Sequence, residues 1–175
     1  FIMISSVFGV IFYGFGSQDT TLKYKNLKFT REDSGWSTTI NNQRVFFDYF
    51  PEELENINIS SEIVDMLKNK YEIDVTSEIN STFKDTIALA EYNMAQVLND
   101  ILSVYLRPGF TQENEYLPAI TCSDATLSVP LIYFIHSNQT SITLDGDCII
   151  AEAINDNDFL RIKDRILYSI LGIIE

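Results

Sequence analysis

Residues Phe83 to Tyr105 read FKDTIALAEYNMAQVLNDILSVY. Phe83, Ile87, Ala90, Met94, Val97, Ile101 and Tyr105 recur at steps of three and four, which places them on one face of a helix. Asn80 or Ser81 supplies a capping side chain at its start, and Pro108-Gly109 has the residue types that stop a helix. A stripe of methionine, aliphatic and aromatic residues at this spacing is core packing. The helix therefore needs a layer to pack on, and the flanking sequence supplies strands.

Upstream, Leu22–Phe29 (LKYKNLKF), Trp36–Ile40 and Arg44–Phe50 (RVFFDYF) read as three strands of a meander. They turn at Asp33-Ser34-Gly35 and at Asn41-Asn42-Gln43. Alternation puts Lys23 and Lys25 on one solvated face. Pro51 ends the meander. A short helix, Glu62–Lys70, is capped by Ser60 or Ser61, and Tyr71–Val75 (YEIDV) alternates as a strand.

Downstream, Gln112–Tyr116 is a polar connection. Leu117–Cys122, Val129–His136 (VPLIYFIH), Ser141–Leu144 and Cys148–Ala153 (CIIAEA) read as strands, with a tight turn at Asp145-Gly146. Asp156 or Asn157 caps a last helix in which Phe159, Ile162, Ile166, Ile170 and Ile173 share a face. The end of that helix, Ile166–Ile174, is apolar on more than one face, so it is expected to pack on an anchor or a partner subunit. Strands mixed with three helices predict one α+β or α/β layer fold.

The chain has 175 residues, of which 46% are hydrophobic, enough for a core of its own. Its 25 acidic and 12 basic residues give a formal charge of −13. A nucleic-acid partner needs a basic face to displace counterions, so the charge argues against that class. The same total reads against docking of the folded domain on anionic lipid.

Residues 1–15 read FIMISSVFGVIFYGF, without a charge, and polar sequence follows at Gly16. The expected division is a hydrophobic N-terminal helix over 1–16 and a single extracytoplasmic domain over 17–175. Phe1, Ile2, Met3, Ile4, Val7, Phe8, Val10, Ile11, Phe12 and Phe15 would contact lipid or neighbouring subunits. A bilayer crossing takes about 20 apolar residues, and a start at Phe rather than Met suits a truncated or processed span. In a second reading the run is the stem of a type IV pilin-like filament subunit, against which stand its length and the interruptions at Gly14 and Gly16. In a third it is a buried helix of the domain.

Cys122 and Cys148 are the two cysteines, which fits one disulfide formed in an oxidising compartment. It would close a loop of about 26 residues, worth roughly 3 kcal/mol in the chain-entropy account. Two free structural thiols are the other ordinary reading. With the lone His136 they fall short of a four-ligand zinc site, and no Cys-x-x-Cys spacing occurs. An enzyme using Cys122 or His136 would require a nucleophile–base pair that the pattern does not suggest. Asn58, Asn80 and Asn138 each begin an Asn-x-Ser/Thr sequon, so they are candidate glycosylation sites.

Asp145-Gly146-Asp147 and Asn155-Asp156-Asn157-Asp158 lack the spacing of a calcium loop. Glu52, Glu53 and Glu55 follow a proline as a solvated first helical turn. With seven glycines in all, there is little material for a phosphate-cradling loop. No cofactor is implied.

The stretch TCSDAT from Thr121, then VPLIYF, DGDCIIAEA and RIKDRILYSILGII, together with KYKNLKF behind the apolar run, resembles uncharacterised single-pass membrane-anchored surface proteins of small-genome archaea. The resemblance is spread over most of the chain. It implies an anchored protein at the cell surface and carries no activity or site residues. The expectation is a membrane-anchored structural or interaction protein of the envelope, part of a surface assembly with protein partners.

Overall fold

The computed structural model describes residues 20–175; the apolar run and its proposed contacts lie outside the described residues. Strands β1 (Thr21–Tyr24), β2 (Leu27–Glu32), β3 (Gly35–Ile40) and β4 (Gln43–Phe47) form an antiparallel sheet in sequential order. The expected meander thus has four strands rather than three. Leu22–Phe29 is two strands, folded back at Lys25-Asn26, where Lys25 takes a positive φ of 49°. The last turn lies where expected but is shorter, since Gln43 belongs to β4, which ends at Phe47 rather than Phe50. Ile40 pairs with Gln43, and Asn41 and Asn42 both adopt positive φ, which asparagine tolerates best among residues with a side chain.

The chain then runs through α1 (Ser61–Leu67), β5 (Glu72–Ser77), α2 (Lys84–Leu102) and β6 (Tyr105–Phe110). Ser60 caps α1, its side chain accepting from Ile63 N–H at 3.3 Å. Next come β7 (Leu131–His136), β8 (Ser141–Asp145), β9 (Cys148–Ala153) and α3 (Asp156–Ile170). The second sheet has the order β6-β5-β7-β9-β8. All its pairs are parallel except the β8–β9 hairpin, which turns at Gly146-Asp147. Two sheets and three helices make an α+β fold.

Several boundaries differ from expectation. Ser103 adopts φ 56° and ends α2, its N–H donating to Asn99 O. Tyr105 therefore leaves the helical stripe and opens β6 as an exposed residue. Phe83, not Asn80 or Ser81, is the N-cap residue of α2. Pro108 and Gly109 sit inside β6. This is an edge strand, where proline's missing N–H costs nothing on the unpaired side. A Cβ on Gly109 would fall 2.6 Å from the Ile120 side chain and 2.8 Å from the Pro118 carbonyl, so the glycine permits a close approach. Leu117–Cys122 forms no strand, only a bridge from Ala119 to Phe110. Asn155, rather than Asp156 or Asn157, caps α3 by accepting from Asp158 N–H at 3.1 Å.

The centre of the domain is α3. Nine consecutive residues, Ile162–Ile170, are buried. On one side Tyr168 stacks on Phe47 (4.2 Å between centroids) and meets Phe29 edge-on (6.1 Å). On the other, Phe159 meets Phe134 of β7. Ile173 and Ile174 are also buried. The apolar end expected to seek an anchor or a partner is consumed by the domain itself.

The helix-facing side of the second sheet carries Ile73, Val75, Ile132, Phe134, Ile149 and Ala151. Its opposite side carries Leu131 and Cys148, packed under Ile120. That side is covered by the long connection between β6 and β7. The buried Asp74 carboxylate binds Arg107 of the edge strand with two hydrogen bonds, 2.8 and 2.7 Å.

Candidate functional site

The expected disulfide is present: Cys122 and Cys148 are bonded, with Cα atoms 5.2 Å apart. Its position explains what it does. Cys148 begins β9 and is fully buried; Cys122 opens a short helical turn in the β6–β7 connection. The bond fastens a segment without regular strands over the outer side of the sheet. A second tie is the hydroxyl of Thr76, which donates to Ile120 O at 2.8 Å.

Cys122 and His136 are not brought together as a nucleophile–base pair. Both sulfurs are in the bond, and no free cysteine remains among the described residues. Leu131 pairs with Cys148 and His136 with Ala153, so His136 stands at the other end of β7, about 16 Å along the strand. Its ring lies against Phe83 at 4.9 Å between centroids. Among the described residues, no group of three or more His, Cys, Asp or Glu is placed to hold a metal ion. Glu53 instead accepts from Phe50 N–H, and Glu55 from the Tyr24 hydroxyl.

Asn58, Asn80 and Asn138 are all exposed. Asn58 precedes α1, Asn80 lies between β5 and α2, and Asn138 lies between β7 and β8. Each could carry a glycan without displacing the core.

Three features escaped the sequence pattern, the first two of them buried ionisable groups. Lys163 and Asp164 lie within α3, almost wholly buried, with their charges 2.5 Å apart. Lys163 Nζ also donates to Asp48 Oδ2 at 2.7 Å, while Asp164 Oδ2 accepts from Asp48 N–H (2.7 Å) and Tyr49 N–H (2.9 Å). The Tyr168 hydroxyl donates to Tyr49 O. Together these groups lock the end of β4 onto α3. Burial raises the Asp164 carboxyl to about 6, against the pull of Lys163. Burial also works against the Lys163 charge, but the Asp164 and Asp48 carboxylates prevail and hold its pKa above the usual value.

The second feature is Glu91, whose Oε1 on α2 is buried with no hydrogen-bond partner. Burial alone pushes its pKa up to about 8. A folded-state pKa above the unfolded value of 4.5 means the folded chain keeps a proton that the unfolded chain has lost. Stability is therefore expected to fall by about 2–4 kcal/mol as pH rises from 5 to 8. Glu91→Gln should flatten that slope in urea titrations at the two pH values. An unchanged slope would assign the pH dependence elsewhere.

The third feature is a face. Paired residues in an antiparallel sheet point to the same side, and Lys23 pairs with Lys28 and Thr39 with Arg44. Thr30 pairs with Ser37, and Ser37 with Phe46. The outer side of β1–β4 thus presents Lys23, Lys28, Thr30 and Thr39 and, over a buried Ser37, Arg44 with Glu32. Lys25, expected beside Lys23, lies in the turn and pairs with Glu175 at 3.4 Å. Arg44 pairs with Glu32, which also accepts from the Ser37 hydroxyl at 2.6 Å. Its guanidinium covers the exposed Phe46 ring at 4.9 Å. The face was hidden because a single strand over 22–29 gives the wrong register for Lys28.

No family model, curated protein or solved structure matches the chain.

Proposed function

We propose that this chain is the exposed domain of a membrane-tethered, extracytoplasmic envelope protein that acts by contact rather than catalysis. The observation that carries it is the Cys122–Cys148 bond, which fastens a long connection over a sheet face. Such a bond persists in oxidising compartments and is rare where thiols are kept reduced. The exposed sequon asparagines suit the same side of a membrane. No helix among the described residues is long and apolar enough to cross a bilayer, so the tether falls to the run Phe1–Phe15. Apolar residues fill that run, and the acidic bulk of the domain favours solubility outside it.

The test is the intact mass of the native protein before and after reduction, made on the membrane fraction. The bonded thiols should gain two hydrogen atoms on reduction, and the protein should stay with the membrane through a high-salt wash. Free thiols in the native protein, or its release by salt, would overturn the proposal. A mature end at Phe1 in a protein recovered as filaments would replace the tether with the filament-stem reading.

A further inference from the structure

Residues 21–47, which make the first sheet, hold five basic and two acidic side chains, a local charge of +3. The rest of the chain therefore carries −16 of the total of −13. The whole-chain charge, which reads against anionic lipid, conceals two regions of opposite sign. On the outer side of the sheet, Lys23 and Lys28 stand directly opposite each other. Like charges in that position repel, and neither ammonium has a carboxylate partner within the described domain. Arg44 lies farther along the same side but is neutralised by Glu32, so the uncompensated charge of the face is that of Lys23 and Lys28.

We infer that the outer face of β1–β4 is a docking surface for anionic lipid headgroups, which seats the domain on the membrane beside its apolar run. The inference rests on the membrane-tether reading proposed above. Two observations choose lipid over a protein. A protein interface needs a desolvated apolar centre, whereas this face offers Lys23, Lys28, Thr30 and Thr39, with the Arg44–Glu32 pair over a buried Ser37 and one aromatic ring at its far edge. The apolar run ends at Phe15, and six residues of chain reach at most about 20 Å, so β1 stays close to wherever that run is held. The strongly acidic remainder would be repelled by the same lipid, which orients the domain with this sheet down.

The experiment uses the full chain in vesicles and needs no variant. Vesicles of phosphatidylcholine alone are compared with vesicles containing phosphatidylglycerol. Flotation measures attachment, and brief acylation followed by mass spectrometry measures the reactivity of each lysine. Each basic side chain near an anionic surface adds about a fivefold preference. Lys23 and Lys28 should therefore react about fivefold more slowly on the anionic vesicles, while the exposed Lys84 of α2 is unchanged. The protection should fade in about 1 M salt, where the Debye length shrinks to about 3 Å.

Flotation on both vesicles with equal lysine reactivity would overturn the docking surface and leave the tether standing. Flotation on anionic vesicles alone would overturn the tether and keep the surface. Protection that appears without lipid and grows with protein concentration would assign the face to the acidic surface of a second copy, and would overturn the lipid.

Discussion

Deleting residues 165–175 leaves a chain that does not fold. The segment contributes Ile166, Leu167, Tyr168, Ile170, Ile173 and Ile174, all buried. Each such side chain is worth roughly 1.5–3 kcal/mol of burial, so together, at about 9–18 kcal/mol, they match the whole net stability of an ordinary domain, about 5–15 kcal/mol. The loss is not confined to apolar area. Arg165 donates to Ile57 O at 2.7 Å and to the Ser169 hydroxyl, tying the segment before α1 to α3. Without Tyr168, Phe29 and Phe47 lose the ring that joins the first sheet to the helices. Near-ultraviolet circular dichroism should show no fixed aromatic environment, and urea should produce no cooperative transition. A truncated protein that unfolds cooperatively would show that the two sheets close without this segment.

Asp164→Ala should cost about 3–5 kcal/mol, the range for removing one partner of a buried ion pair. The cost has two sources. Lys163 keeps a buried charge with only Asp48 to balance it, and the N–H groups of Asp48 and Tyr49 lose their acceptor. Asp164→Asn retains an oxygen for the N–H groups but not the charge, so it should fall between wild type and alanine. Urea midpoints of the three proteins at neutral pH give the order directly. If asparagine matched wild type, the hydrogen bonds would hold the joint and the charge would be incidental.

How much of this was legible depends on where side chains and backbone agree. The hairpin at Asn41-Asn42 was legible because asparagine both permits positive φ and interrupts the apolar alternation. The buried side of α2 was legible from spacing, since Ile87, Ala90, Met94 and Val97 all reach the core. The turn at Lys25-Asn26 was not, because lysine gives no turn signal and LKYKNLKF alternates passably as one strand. β6 was missed because Pro108-Gly109 imitates a helix stop, and only an edge position with Ile120 overhead explains both residues. The pairing of Cys122 with Cys148 followed from their number. That it fastens a connection over a sheet face depends on the order of strands, which no local pattern encodes. The basic face was lost with the register, and Lys163-Asp164 gave no local signal of burial because their counter-groups, Asp48 and Tyr49, lie far away in sequence.

The central position of α3 also bears on the order of events during synthesis. The first sheet is made early and can pair its strands at once, and Phe50 already packs on Phe29 and Trp36, but the ring that stacks on Phe47 is added only when Tyr168 arrives. The second sheet waits for the same helix, since Phe159 fills the space beside Phe134. Both halves therefore complete their packing only near the end of synthesis. A domain built this way acquires the last part of its tertiary structure in a late step, when the residues of α3 become available.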